Sequence, residues 1–352
     1  MKPNLNNNPY ANSLEDQFSE FQTGRVVIEH KERYIVKSSE GEFDAEITGN
    51  MRFAANSRAD FPAVGDWVAF QAFDKEMAII HRILPRKTVL ERQAVGKLGE
   101  KQIIATNIDV AFVVQSVEQD FNINRIERYL TLCYSANIEP LVILSKTDLL
   151  PVNEINTLLE KLKFRNIKTS PILLSNNSDL DIEKFRSLLE FGKTYCFIGS
   201  SGVGKSTLIN RLIGKDNLET ATISLSTGKG RHTTSHRELI VLDNGGILID
   251  TPGMREIGLT DETSGLEITF EDISQLAENC LFNDCTHTNE KGCAVLAALE
   301  DNEISEASFE NYHKMKREQQ RFTSSIAEKR KKDKAQGKLY KSILKNKKKS
   351  KY

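Results

Sequence analysis

From Thr23 onward, apolar and polar positions alternate with a period of two in short runs: RVVIEH (25–30), RYIVKS (33–38), EFDAEIT (42–48), DWVAFQAF (66–73) and AIIHRIL (78–84). Each has the length and side-chain make-up of a strand, and polar or glycine-containing breaks separate them. Five short strands within about 65 residues are too few for a sandwich. They suit a small closed barrel, the five-stranded OB fold first and an SH3-like barrel as the alternative. Such barrels often contact oligonucleotides, although a fold alone does not fix a function.

Beyond Arg92 the pattern changes. IDVAFVVQS (108–116), PLVILSK (140–146), SPILLS (170–175), TYCFIGS (194–200) and GILID (246–250) read as buried strands. Between them RIERYLTLCYSA (125–136), PVNEINTLLEKLK (151–163), DIEKFRSLLE (181–190) and KSTLINRLI (205–213) read as helices. This alternation predicts parallel strands with crossover helices, an α/β sheet. EDISQLAENC and a long helix ISEASFENYHKMKREQQRF (304–322) follow. A multidomain chain results: a flexible arm at 1–20, an OB-fold-like barrel at 21–88, an α/β domain at 92–259, a helical cysteine-bearing domain at 262–322 and a basic tail at 323–352.

Charge changes the picture at one end. The formal net charge is −1, yet residues 321–352 hold 13 Lys or Arg against two acids, Glu328 and Asp333, so this stretch carries about +11 and the remainder about −12. Such a tail is either a solvated, disordered terminus or a contact for a polyanion, because clustered cations release counterions from nucleic acid. No apolar run approaches the ~20 residues that cross a bilayer, and MKPNLNNNPYANSLEDQF lacks the charged-then-apolar order of a signal sequence. No membrane partner and a cytoplasmic location are therefore expected. The five cysteines should then be reduced, and a cluster among them reads as metal binding before disulfide bonding.

GSSGVGKST (199–207) stands between a strand and a helix and fits the phosphate-loop pattern G-x-x-x-x-G-K-[ST]. The loop Gly199, Ser200, Ser201, Gly202, Val203 and Gly204 lets backbone N–H groups turn inward around phosphate oxygens, and the helix N-terminus adds partial positive charge. Lys205 would reach the β and γ phosphates, in binding and in catalysis. Ser206, followed by Thr207, would place its hydroxyl on Mg2+. DTPG (250–253) supplies Asp250, an acid at a strand end for the Mg2+ shell, and Gly253, where backbone meets the γ phosphate. GRHTTSH (230–236) offers the hydroxyls of Thr233 and Thr234 for a switch that closes on Mg2+ and the γ phosphate, Thr234 joining the metal shell.

SKTD (145–148) caps the strand PLVIL. Asp148, presented with Lys146 and Thr147, can accept from guanine's ring N–H and exocyclic amine together, a pairing adenine cannot provide. In an ordinary GTPase this motif follows the phosphate loop; here it precedes it. Sheet order is fixed by packing, whereas chain order depends on where the ends fall, and ends lying close together permit circular permutation. The α/β domain therefore reads as a circularly permuted GTPase. The chain leaves it just after DTPG, so a γ-phosphate-dependent movement there would act on the C-terminal domain. Ser145 stands where many GTPases carry Asn, so a side-chain amide that braces the base site against the phosphate loop is expected to be missing. A fifth motif is only faintly visible at Ser175 and Asn176.

CLFNDCTHTNEKGC (280–293) has the spacing C-x4-C-x-H-x5-C. Cys280, Cys285, His287 and Cys293 would complete a tetrahedral Zn2+ shell with no open position, hence a structural metal, with ordinary buried thiols as the alternative. Cys133 and Cys196 fall on apolar faces and need no role beyond packing.

Permuted nucleotide motifs between a barrel and this loop resemble the circularly permuted ribosome small subunit-dependent GTPase A family, over about residues 22–322. The resemblance implies a cytoplasmic, monomeric assembly factor that takes GTP or GDP and binds the 30S subunit and its 16S rRNA late in maturation. It would hydrolyse GTP when stimulated by the subunit, then depart. The family's zinc ligands match Cys280, Cys285, His287 and Cys293, and its base motif matches Lys146 and Asp148. Met254 follows DTPG where Ras-like enzymes place the water-orienting glutamine, and a thioether cannot do that. His232, in line with the family's switch histidine, is the candidate to position water, and His236 is its competitor. An element supplied in trans raises GTPase rates by roughly 10^3 to 10^5, so a ribosome-gated rate is physically reasonable. Two other classes stay open: a nucleotide-gated RNA-binding or scaffold protein with negligible turnover, and a P-loop ATPase, against which Asp148 argues.

Overall fold

The computed structural model describes residues 21–30, 32–93, 101–118, 121–214, 237–250, 264–324 and 331. The expected arm, the switch residues His232, Thr233, Thr234 and His236, Gly253, Met254, and the tail beyond 324 apart from Lys331 lie outside these residues.

Strands β1 (Gln22–His30), β2 (Arg33–Lys37), β3 (Glu42–Ile47), β4 (Trp67–Ala72) and β5 (Met77–Ile83) occupy the five runs read from the sequence. They hydrogen-bond in the order β1-β2-β3-β5-β4, and β4 returns to β1, so the sheet closes on itself. Every neighbouring pair is antiparallel except β3 with β5. Alternation decides the inside: Phe43, Ala45 and Ile47 of β3 are buried while Glu42, Asp44 and Glu46 face out. With Val26, Tyr34, Val36, Phe70 and Ile80 they fill the interior, in the five-stranded OB-like form. Helix α1 (Gly49–Ala54), capped by the Thr48 hydroxyl, connects β3 to β4.

A hairpin of β6 (Val89–Gln93) and β7 (Lys101–Thr106) leads into the α/β domain. There β8 (Val110–Ser116), β9 (Glu139–Ser145), β10 (Ile172–Leu174), β11 (Thr194–Ile198), β12 (Glu238–Val241) and β13 (Ile247–Asp250) order as β10-β9-β8-β11-β13-β12. Only β12 runs antiparallel to its sheet neighbours. Helices α2 (Ile123–Ser135), α3 (Val152–Phe164), α4 (Asp179–Ser187) and α5 (Lys205–Ile213) cover both faces, which is why the central strands are uninterrupted apolar runs. On β8, Ala111 and Val113 join the core under α2, and Val110, Phe112 and Val114 join the core under Phe185, Leu208 and Leu212. Cys133 and Cys196 pack in the first of these.

The barrel is continuous with this sheet. Ile28 of β1 pairs with Glu238 of β12. Arg237, just before β12, donates to Ile103 O at 2.8 Å and lies 3.9 Å from Glu29. Arg25, buried beneath Trp67, donates to Gly65 O and Asn107 O, each at 3.1 Å. Burial pushes its pKa down to about 10, which leaves the guanidinium charged at neutral pH.

Helices α6 (Ser264–Thr269), α7 (Glu271–Ala277), α8 (Ala294–Glu300) and α9 (306–324) form the C-terminal domain. It docks on α2, with α6 packed close against that helix at Gly265 and polar groups joining the two domains. Buried Glu127 accepts from Arg165 at 2.8 and 2.6 Å and from the Asn311 amide at 2.6 Å, and Arg128 grips Glu318 with two bonds of 2.8 and 2.7 Å.

Candidate nucleotide site and metal centre

Strand β11 ends at Ile198 and α5 begins at Lys205, so residues 199–204 must turn between them. Glycine is required at the start by crowding, because a Cβ on Gly199 would lie 2.3 Å from Val114 O. It is required at the end by backbone shape: Gly204 has φ +93°, the left-handed region. The Lys205 ammonium lies across the loop, donating to Gly199 O at 2.7 Å and Ser200 O at 2.5 Å. Ser206 and Thr207 are exposed in the first turn of α5. Asp250 ends β13, the parallel neighbour of β11. Burial raises its pKa and Lys205 draws it back, so a cation beside it would hold the carboxylate ionised.

The base motif lies at the end of β9. Lys146 adopts a left-handed turn, φ 60°, and its ammonium pairs with Glu118. Asp148 then projects into solvent with both oxygens held, Oδ1 by the Ser175 hydroxyl at 2.7 Å and Oδ2 by the Asn177 amide at 3.1 Å. These contacts, the Ser175 hydroxyl first, keep the carboxyl below its ordinary range. The faint fifth motif is thus brought directly onto Asp148.

The amide is absent at Ser145, as expected, yet a hydroxyl brace stands in its place. The short Ser145 side chain points at the phosphate loop and donates to Val203 O at 2.7 Å. The Asn176 amide also donates to that loop, to Gly204 O at 2.9 Å. Arg211 of α5 fixes the 175–178 turn from beneath, reaching Asn176 O at 2.9 Å and pairing with Asp179. Sequence reasoning found Ser175 and missed the work of Asn176, Asn177 and Arg211; the only signal was a run of amides after Ser175.

Cys280, Cys285, His287 and Cys293 converge, their ligand atoms all within 4.8 Å of one another, so the group could hold a metal ion. Tetrahedral bonds of ~2.3 Å to sulfur and ~2.1 Å to nitrogen require S···S edges of about 3.8 Å and S···N edges of about 3.6 Å. Cys280 Sγ lies 3.8 Å from Cys293 Sγ, and His287 Nδ1 lies 3.6 and 3.4 Å from those two sulfurs. These three donors therefore match three corners of a tetrahedral shell, and Cys285 Sγ lies within 4.8 Å of them as the fourth. His287 holds a left-handed φ of 58°, and Glu290, which sequence analysis left unmarked, ties the loop by accepting the amides of Thr286, Thr288 and Asn289 at 2.8, 2.8 and 3.0 Å.

A phosphate loop on the central strand, with the SKTD motif preceding it in sequence, defines a circularly permuted P-loop GTPase. Residues 83–260 match the RsgA GTPase family. The Small ribosomal subunit biogenesis GTPase RsgA 1 of Bacteroides thetaiotaomicron is 41% identical over 332 residues, 94% of this chain and 92% of that protein. The Small ribosomal subunit biogenesis GTPase RsgA 2 of Lactiplantibacillus plantarum is 43% identical over 295 residues, 84% of this chain and 82% of its own. Among solved structures, YjeQ from Thermotoga maritima superposes with a TM-score of 0.63 at 25% identity, covering 87% of this chain and 99% of that one. YloQ, titled a circularly permuted GTPase, gives 0.62 at 24% identity, covering 89% and 97%. The chain belongs to the RsgA GTPase family.

Proposed function

We propose that this GTPase acts in biogenesis of the small ribosomal subunit, binding 16S rRNA with an affinity set by its nucleotide and hydrolysing GTP when the subunit stimulates it. The observation that carries the nucleotide half is Asp148, oriented by Ser175 and joined through Ser145 and Asn176 to the phosphate loop. Asp148 reads guanine, residues 199–205 hold the phosphates with their N–H groups, and the Lys205 ammonium neutralises charge on the β and γ phosphates. Ser206, Asp250 and Thr234 would hold Mg2+, which offsets phosphate charge when bound. Thr233 and Gly253 would meet the γ phosphate, and His232 would position water.

Cys280, Cys285, His287 and Cys293 would hold one structural Zn2+, the metal that three thiolates and an imidazole favour. No described helix is long and apolar enough to cross a membrane. A cytoplasmic monomer fits a partner as large as the subunit.

Steady-state hydrolysis by the purified protein, alone and with 30S subunits, and with 50S subunits and ATP as controls, tests the proposal. We expect slow turnover alone and stimulation of at least about a hundredfold that is specific to GTP and 30S. Guanine-nucleotide binding without stimulation would favour a nucleotide-gated binding protein instead.

A further inference from the structure

We propose that Asn176 is a positioning residue that replaces the amide absent at Ser145, aiming the phosphate-loop N–H groups from the base-binding side. The proposal rests on the guanine-nucleotide reading above. In a trans peptide the C=O of one residue and the N–H of the next point in opposite directions. A carbonyl fixed at the back of the loop therefore aims the following N–H toward the phosphates.

Two successive carbonyls are fixed in this way. Ser145 Oγ donates to Val203 O at 2.7 Å, which orients the N–H of Gly204. Asn176 Nδ2 donates to Gly204 O at 2.9 Å, which orients the N–H of Lys205. Gly204 O also accepts the first helical bond of α5, from Leu208 N at 3.0 Å, so Asn176 acts where loop becomes helix.

The fit is close and the side chain is held. A Cβ on Gly204 would meet Asn176 Nδ2 at 2.5 Å, and Asn176 is only 8% exposed. A carbonyl acceptor admits only the amide nitrogen, and the other end, Oδ1, is buried without a partner among the described residues. The main chain of Asn176 is in turn gripped by Arg211, so a ring of bonds runs from the last turn of α5 through this residue to the first. The preceding residue, Ser175, holds Asp148. One short turn thus sets both the base acid and the phosphate cradle, a duty divided here between positions 145 and 176.

Asn176→Asp, nearly isosteric, turns the donor into an acceptor facing Gly204 O. Losing one buried hydrogen bond and facing two acceptors together should weaken GDP binding about tenfold. The loss should fall on KM for GTP more than on kcat, which a general loosening of the domain would not produce. In the nucleotide-free protein, amide hydrogens at 203–206 should exchange faster. Adding Ser145→Asn to this variant should recover most of the affinity, because an amide returns to the bracing position. Unchanged GDP affinity with unchanged exchange would overturn the brace, and a double variant with no recovery would overturn the exchange of roles. Faster exchange in Asn176→Asp, with no guanine-nucleotide binding by the parent protein, would support the brace and overturn the nucleotide reading instead.

Discussion

Asp148, the proposed reader of guanine, has both carboxylate oxygens oriented before a base arrives, one by Ser175 and one by Asn177. Its depressed pKa means that the charged form is present above the ordinary carboxylate range and is lost only as pH falls through the lowered value, so base recognition should be flat from pH 8 to about pH 5. Asp148→Asn presents an amide donor where guanine's exocyclic amine is also a donor. Competition binding should show GTP weakened by at least about a hundredfold and xanthosine triphosphate, whose ring carbonyl accepts there, gaining affinity. An unaltered base preference would remove Asp148 from the base site. Asp148, Lys205 and Gly199 stand out in the sequence because the chemistry proposed for them tolerates few substitutes: an acid for two guanine donors, an ammonium for phosphate, no Cβ against Val114 O. Arg211 does not, and Asn176 stands out only as part of a faint motif, since what they do depends on a neighbour 35 residues away in the first case and 28 in the second.

Elements with a strong internal pattern were legible, and those defined by their neighbours were not. The five barrel strands and the helices α2 to α5 carry their own periodicity. The β6–β7 hairpin does not: its burial comes from Leu90, Ile104 and Ala105 packing into the core of the α/β domain, and Thr106 N is satisfied by Val64 O of the barrel at 3.1 Å. The four residues of β12 become a strand by pairing with β13 and β1. Helix α6 is the sharpest case, a short segment placed by one glycine. A Cβ on Gly265 would lie 2.3 Å from Thr131 O and 2.6 Å from Ser135 N on α2, backbone atoms that cannot step aside singly. Gly265→Ala should therefore push α6 off α2, strain the Thr131–Thr269 hydroxyl bond of 2.8 Å, and cost about 1–3 kcal/mol in denaturant melts. Gly49→Ala is the matching control, since its Cβ meets nothing within 4 Å, and it should change stability by less than about 0.5 kcal/mol. Equal effects at the two sites would show that close approach at Gly265 does not set the docking.

At the scale of the whole molecule the two junctions differ in kind, and this decides what melts with what. Barrel and α/β sheet share one ladder through Ile28 and Glu238, with Arg25 buried and Arg237 half-buried across the seam. Separating them would break backbone bonds and take the Asn107 O acceptor from buried Arg25, so they should unfold together. The C-terminal domain instead rests on side-chain contacts, chiefly Asn311 with Glu127 and Arg128 with Glu318, and on the close approach of α6 to α2 at Gly265, with no shared ladder among the described residues. Its core is small, centred on Leu266, Phe270, Val295, Tyr312 and Met315, and Cys293 belongs to it. A metal held by Cys280, Cys285, His287 and Cys293 would supply on the order of 10 kcal/mol to such a core. Calorimetry with and without a strong chelator separates the cases. With metal, we expect the C-terminal transition at or above that of the joined barrel and α/β body. After chelation it should fall by tens of degrees or vanish, with loss of helical signal from 264–324, while the larger transition and GDP binding persist. An unchanged melt would mean that the four ligands hold no structural metal. Collapse of both transitions would mean that Glu127 and Arg128 couple the domains more tightly than a side-chain junction between separate cores allows.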